Sequence, residues 1–203
     1  MTETGERRRD FDRVVTFVDA IVAIAITLLV LPLADLTTSV GERPVVDLLR
    51  AHEGQFGAFA LSFLVIARLW FVQHRFLRDV VVPPRGLQAL LMLWTATIVV
   101  LPFPTGLLPE AGSQTVTKLL YIGTIGLNTA LVTAMALLVR RDPAATAGQR
   151  PPDPVGAAIN TVLLLIALLL ALVLPGPSYY PLLLLALDEQ VRQLWNRITH
   201  RGA

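Results

Sequence analysis

Residues 14–34 read VVTFVDAIVAIAITLLVLPLA, and this stretch decides the fold class of the chain. Asp19 is the single charged residue among its 21 positions. A helix needs about 20 consecutive apolar residues to cross a hydrocarbon core of about 30 Å. The stretch therefore predicts a membrane-spanning helix that carries one unusual acidic side chain.

The composition extends this interpretation to the whole chain. Of its 203 residues, 54% are hydrophobic and 16% are charged, and the mean hydropathy is +0.64. Soluble domains carry about 25% charged residues, so a soluble globular enzyme is excluded. The absence of cysteine excludes a disulfide scaffold and a thiolate metal site. The net charge of +2 implies no large basic surface for nucleic acid.

Five further apolar stretches follow the first one, each with few charges over the length of a membrane span. We predict an all-α, polytopic membrane protein with a single six-helix domain over residues 1–203. The predicted spans lie at about 14–34, 53–77, 86–105, 117–139, 155–174 and 179–195, with a cytoplasmic loop at 140–154 and a short surface helix from Val45.

The number of spans has one alternative. The apolar run of the sixth stops at Leu187, and Asp188 and Glu189 follow, so five spans and an amphipathic tail would also fit. Loop charge favours six, because Lys and Arg accumulate on the cytoplasmic side of a membrane. With six spans and an inside N-terminus, thirteen arginines fall on the inner side and three basic residues on the outer side. Both termini are therefore predicted to be cytoplasmic.

The first span has a distinctive helical face. At about 100° per residue, Phe17, Ile24, Leu28, Leu31 and Asp35 fall within a narrow stripe. The periodicity alone favours an ordinary role for this stripe, in lipid contact or in core packing.

Asp19 lies about 140° away from Ile24, so it points elsewhere. An acid at the centre of a membrane helix costs about 2.5–3.5 kcal/mol on insertion scales, and such a residue usually has a partner or a water-filled site. Arg68 and His74, in the second span, are the predicted partners. Arg13 is six residues before Asp19, which places the two on different faces, so each is predicted to find its partner on another helix.

Two side chains outside the first two spans carry structural predictions. Trp94, in the third span, is predicted to anchor its helix at the membrane interface, where Trp is enriched. Asn160, in the fifth span, is predicted to hydrogen-bond to a neighbouring helix, a contact worth about 0.6 kcal/mol. Neither residue points to catalysis.

Three short motifs resemble a known family. Residues 13–19 read RVVTFVD, followed by IAITLL at 24–29, which resembles the Arg-x-x-x-Phe-Ser-Asp signature of the transmembrane protein 175 family of potassium channels. Residues 70–74 read WFVQH, which is similar to the Trp and His at the inner end of the family's second helix. Val18 stands where the family usually has Ser, and Ala20 stands where Gly is common. The resemblance in the other four spans is one of topology.

The resemblance implies a homotetramer in the bacterial cytoplasmic membrane, with a central pore lined by the first helix. Its implied partners are other copies of the chain, permeant potassium ions and the lipid bilayer, with no cofactor and no enzymatic activity. It implies an apolar constriction at Ile24, continued by Leu28 and Leu31, and a contribution of Thr27 to potassium preference. It also implies a structural polar cluster that holds the pore helix. The members of this cluster are Arg13, Phe17, Asp19, Arg68, Trp70 and His74.

The implied activity is potassium transport through a hydrophobic gate. No Thr-Val-Gly-Tyr-Gly segment of the kind that builds a carbonyl filter occurs in the sequence. A proton or non-selective monovalent cation leak on the same scaffold is an alternative, and so is a non-conducting membrane scaffold. A membrane enzyme built around Asp19, Arg68 and His74 is a further class, which no hydrolase, nucleotide or metal motif supports.

Asp35 extends the implied pore to its outer mouth. In a tetramer, its position on the stripe would form a ring of four carboxylates, which concentrates cations most strongly at low salt. The other interpretation is that Asp35 simply ends the first span in water. Pro32 weakens the stripe argument, because it breaks the helical bond to the carbonyl of Leu28 and can kink the helix.

Overall fold

The computed structural model of the chain describes residues 3–36 and 44–146, together with Ile166. The chain divides into two units, residues 1–152 and 153–203, and the described helices belong to the first. Apart from Ile166, the predicted fifth and sixth spans at 155–174 and 179–195 lie outside the described residues. So do residues 147–154 of the predicted loop and Asn160.

In the described part of the chain, α-helices and one 3-10 helix are joined by turns and short loops, and it contains no β-strand. Its α-helices are α1 (Glu3–Leu28), α2 (Leu31–Asp35), α3 (Val45–Ala51), α4 (Glu53–Arg78), α5 (Leu87–Val100), α6 (Pro102–Ala111) and α7 (Thr115–Arg140), and a 3-10 helix follows at Pro143–Thr146.

Four helical segments are long and apolar enough to cross a membrane by length and composition. They are Gly5–Asp35, Glu53–Arg78, Leu87–Ala111 and Thr115–Arg140. The first four predicted spans are thereby confirmed as apolar helices. The short helix predicted from Val45 is α3.

The third segment is longer than predicted. The sequence suggested that it would end at Thr105, after Pro102 and Pro104, but the chain continues as α6 to Ala111. Pro102 occupies the first position of α6, where a missing N–H costs nothing because that group has no intrahelical acceptor. Pro102 and Pro104 therefore lie in the first turn of a new helix, α6, and the helical segment does not end at them.

The core lies along α5 and α7, which pack against each other. Leu87, Leu91, Trp94 and Ile98 recur at helical spacing on α5, and all four are fully buried. The prediction that Trp94 anchors the helix at the membrane interface is therefore wrong. The helical spacing places Trp94 on the inward face of α5. There the free energy gained by burying a large aromatic surface outweighs the preference of Trp for the membrane interface.

One end of the described bundle is rich in arginine. It gathers the N-terminal part of α1, the turn between α4 and α5, and the residues after α7. The guanidinium of Arg7 donates to the carbonyl of Pro83 at 3.1 Å. The backbone N–H of Val81 donates to the carbonyl of Ala145 at 2.7 Å. We call this the basic end. Its exposed arginines are Arg7, Arg8, Arg9, Arg13, Arg75, Arg78, Arg85, Arg140 and Arg141.

The opposite end of the described bundle carries more acidic than basic side chains. Gly54 at the start of α4 and Pro109 near the end of α6 lie close together there. The acidic residues at this end are Asp35, Asp47, Glu53 and Glu110, and the basic ones are Arg50 and Lys118. Helix packing thus brings to one end nine of the thirteen arginines that the sequence predicted for one side of the membrane, and the other four lie outside the described residues.

Candidate pore-lining face of the first helix

The two faces of α1 differ sharply in burial. Its inward face packs against the other helices, through α5 on one flank and α4 on the other. Phe17, Ile24 and Leu31 lie on the far side and are 58%, 58% and 54% exposed. Leu28, on the same side, is 39% exposed. The buried residues of α1 and the turn after it are Phe11, Val18, Val22, Ala25 and Leu29. We call the exposed side of α1 and α2, with Phe17, Ile24, Leu28 and Leu31, the bare face.

Thr27 adds a polar group to the bare face. It is exposed, and its hydroxyl donates to the carbonyl of Ile24 at 2.7 Å. This bond directs the hydroxyl hydrogen back along the helix. The lone pairs of the Thr27 oxygen remain available to accept or to coordinate.

The first span is interrupted just after Thr27. The N–H of Leu29 donates to the carbonyl of Ile26 at 3.3 Å, and the N–H of Val30 to that of Thr27 at 3.2 Å. These bonds connect residues three apart, the tighter pattern found where an α-helix ends. A new helix, α2, then starts at Leu31 with Pro32 in its first turn and ends at the exposed Asp35. The stripe was predicted for one straight helix, whereas the structure interrupts that helix between Leu28 and Leu31.

Asp19 lies on a flank of α1, half-buried, where it contacts α4. The indole Nε1 of Trp70 donates to its carboxylate Oδ1 at 2.7 Å. A hydrogen bond to an ionised acceptor is short and about twice as strong as a neutral one. The ring of His74 lies beside that of Trp70, with centroids 5.1 Å apart and planes inclined by 32°. The contact fixes how α1 is rotated against α4.

The structure brings together three of the six residues assigned to the polar cluster: Asp19, Trp70 and His74. Arg13 and Phe17 are exposed and lie on the other side of α1 from that contact. Arg68 is half-buried on α4, two residues before Trp70. The sequence predicted Arg68 and His74 as the partners of Asp19, whereas the hydrogen bond that the structure gives it comes from Trp70. The donor that the structure shows at this carboxylate is thus a neutral N–H on the facing helix.

Sequence reasoning missed two buried hydrogen-bond networks between helices. The hydroxyl of Thr105 donates to Ser62 Oγ at 2.8 Å, and Ser62 Oγ lies 3.0 Å from the hydroxyl of Tyr121. The amide Nδ2 of Asn128 donates to Thr97 Oγ1 at 2.6 Å. The first network joins α4, α6 and α7, and the second joins α5 and α7. Asn128 is an amide within an apolar span, so the reasoning applied to Asn160 could also have predicted that Asn128 bonds to a neighbouring helix.

Within residues 3–36 and 44–146, His, Asp and Glu side chains form no group of three that could hold a metal ion. What the described residues provide is an apolar face with one hydroxyl, held in orientation by one charge-assisted bond. Such a face can pack against lipid, against other copies of the chain, or line a passage.

Comparison with known proteins gives two matches. A sequence profile described as "Endosomal/lysosomal potassium channel TMEM175" matches residues 13–102. A protein of Streptomyces collinus that carries the name "Potassium channel" is 35% identical over 102 residues, which are 48% of this chain and 47% of that protein. The chain thus matches about half the length of that relative. No solved structure matches it.

Proposed function

We propose that the chain, which matches the transmembrane protein 175 profile over residues 13–102, is a member of that family and a potassium-permeable cation channel of a bacterial cytoplasmic membrane. Both matches concern potassium channels, and the profile match at residues 13–102 extends from α1 to α5. The chain has four apolar helices of spanning length among its described residues, as a membrane channel requires.

The observation that carries the proposal is the bare face of α1. This helix contributes one face to the packing of its own chain, and Ile24 on α1 and Leu31 at the start of α2 are more than half exposed. In the proposed homotetramer, the bare faces of four copies meet around a central axis. Ile24 then forms the narrowest ring, and Leu28 and Leu31 continue it.

An apolar ring conducts by a different principle from a carbonyl filter. Hydrophobic constrictions gate by dewetting, and an ion that passes must give up part of its water. Potassium holds its water less tightly than sodium, so it loses less energy on passing. We therefore expect modest preference for potassium and exclusion of multivalent cations, with Thr27 adding an oxygen next to the ring.

The other polar contacts of the site have positioning roles in this proposal. The bond from Trp70 to Asp19 sets the rotation of α1 and so the direction in which Ile24 points. The basic end faces the cytoplasm, because Lys and Arg accumulate on that side of membrane proteins. Asp35 then lies toward the outer mouth.

The decisive test is electrical. Purified protein in planar bilayers, with potassium on one side and sodium on the other, should give a reversal potential that favours potassium. Ile24→Asn should wet the constriction, raising the conductance and lowering the preference. Leu64→Asn is the matched control, because Leu64 is 65% exposed on α4, away from the bare face. A wild-type selectivity that Ile24→Asn leaves unchanged would place the constriction elsewhere.

A proton or unselective monovalent cation leak is the second candidate. It is favoured by the bare face itself, on which Thr27 is the one polar side chain between Phe17 and Leu31. Current without a shift in reversal potential, followed by a response to a pH gradient, would support it. Native mass spectrometry distinguishes both from a scaffold whose bare face contacts lipid. Four copies per particle support a pore, whereas a monomer contradicts it.

A further inference from the structure

The break between α1 and α2 changes the hydrogen bonding of the backbone carbonyl of Leu28, a residue of the bare face. In a continuous helix, the carbonyl of Leu28 would accept from the N–H of residue 32. That residue is Pro32, which has no N–H. The N–H of the following residue, Leu33, donates to the carbonyl of Val30 at 3.0 Å. The carbonyl of Leu28 therefore lacks its helical donor.

The level in the membrane makes this loss costly. No water is available in a hydrocarbon core to replace a missing bond, and irregular backbone is tolerated there only where it is buried in protein or lines a watery cavity. Leu28 is 39% exposed, and Leu31, on the other side of the break, is 54% exposed. The break thus lies on the bare face, where it would line the passage.

A second oxygen lies one residue away. The hydroxyl of Thr27 donates its hydrogen to the carbonyl of Ile24 at 2.7 Å. Its oxygen can therefore act toward other groups only as an acceptor or a ligand, through its lone pairs. A carbonyl and a hydroxyl oxygen at adjacent positions are hard, uncharged ligands. Rings of such oxygens replace the hydration shell of potassium in selective channels.

We propose that the backbone carbonyl of Leu28, freed by Pro32, coordinates a partly dehydrated potassium ion directly beyond the Ile24 constriction, together with the hydroxyl oxygen of Thr27. The inference rests on the proposed function and deepens it. It makes Pro32 a residue that determines selectivity, and it supplies each chain of the tetramer with two oxygen ligands at one level. Ions that shed water at the isoleucine ring meet replacement oxygens at the next turn.

The sharpest test weakens this carbonyl and leaves every side chain in place. Replacing Leu29 by its α-hydroxy acid turns the bond between residues 28 and 29 into an ester, whose carbonyl is a poorer ligand. It also removes the N–H of Leu29 and its 3.3 Å bond to Ile26. The matched control is the same change at Val30, which removes a comparable 3.2 Å bond to Thr27 but weakens the carbonyl of Leu29.

We expect the ester at position 29 to lower the potassium-to-sodium permeability ratio about threefold, the scale on which one weakened oxygen acceptor acts. The ester at position 30 should leave the ratio near that of the wild type. Equal ratios in the two esters, whether both lowered or both unchanged, would overturn the inference and leave the proposed channel standing. A folded, inserted wild type that passes no potassium would overturn both.

A genetic version of the test uses proline. Pro32→Ala supplies an N–H that can close the helical bond to the Leu28 carbonyl, so the permeability ratio should fall, with Rb⁺ and Tl⁺ flux falling alongside that of K⁺. Pro109→Ala is the matched control, because Pro109 lies inside α6 and its substitution restores the same kind of bond to Thr105. A ratio that Pro32→Ala does not lower contradicts the assignment.

Discussion

Helices α1 and α5 are both apolar, yet they do opposite things in the structure. Every fourth or third residue of α5 from Leu87 to Ile98 is fully buried, and its polar Thr97 is bonded to Asn128 inside the bundle. The corresponding turns of α1 and α2 leave Ile24 and Leu31 more than half exposed, and the polar Thr27 of α1 is exposed as well. Hydropathy does not separate a helix that fills a core from one that lines a surface. The two helices are distinguished by where their polar side chains lie: Thr97 of α5 is bonded to another helix inside the bundle, whereas Thr27 of α1 is exposed.

The largest effect that the comparison predicts lies in α5. Trp94→Ala should lower the free energy of unfolding by about 3–5 kcal/mol, because it leaves a large cavity in the core. Leu93→Ala, at a neighbouring position that is 56% exposed, should change it by less than about 0.5 kcal/mol. Reversible unfolding in mixed detergent micelles, followed by circular dichroism, measures both. Similar losses in the two variants would contradict a buried face on α5.

The next effect concerns how α1 is attached. Trp70→Phe keeps an aromatic ring but removes the N–H that donates to Asp19, so it should cost about 1–2 kcal/mol. A double-mutant cycle with Asp19→Ala, which removes the acceptor oxygen, isolates the pair, because the coupling energy excludes the other effects of either change. Single-channel recording should show altered conductance in Trp70→Phe, since α1 is then free to rotate. Additive unfolding energies would show that the bond does not hold α1 in place.

A smaller effect belongs to the hydroxyl network of α4, α6 and α7. Ser62→Ala removes the oxygen shared by Thr105 and Tyr121 and should cost about 1 kcal/mol, the scale of hydrogen bonds between helices in membranes. Thr124→Ala is the control, because its hydroxyl donates to Leu120 of its own helix at 2.7 Å. The same unfolding assay applies. Equal costs would mean that the bonds between helices add nothing beyond local ones.

The smallest effect lies at the end of α2. Asp35→Asn should lower inward potassium conductance at low ionic strength and much less at high ionic strength, because salt screens its attraction for cations. Asp47→Asn, on exposed α3 at the same end, should have less influence because it lies off the bare face. An equal loss for Asp35→Asn at both salt concentrations would contradict an electrostatic role.

Much of the site could be predicted from residue order because membrane helices obey a simple rule of length and periodicity. Ile24, Leu28 and Leu31 share a face by spacing, and Asp19 is excluded from it for the same reason. The donor to Asp19 was harder to predict from the sequence, because the choice among Arg68, Trp70 and His74 depends on how α4 is rotated against α1. The networks of Ser62 and Asn128 were missed for a related reason: their partners lie on helices distant in sequence.

By itself, the sequence determined that this is a membrane protein with apolar helices, that the first of them carries an isolated acid, and that its basic residues separate by side. Length and composition suffice for these conclusions. The missing N–H of Pro32 also follows from the sequence alone, because it is a matter of covalent structure. The tertiary structure alone decided which face of each helix is buried. It placed Trp94 in the core, gave Asp19 the indole of Trp70, and left Ile24 bare. Those outcomes depend on how helices rotate and pack against one another, and the periodicity of a single helix does not contain that information.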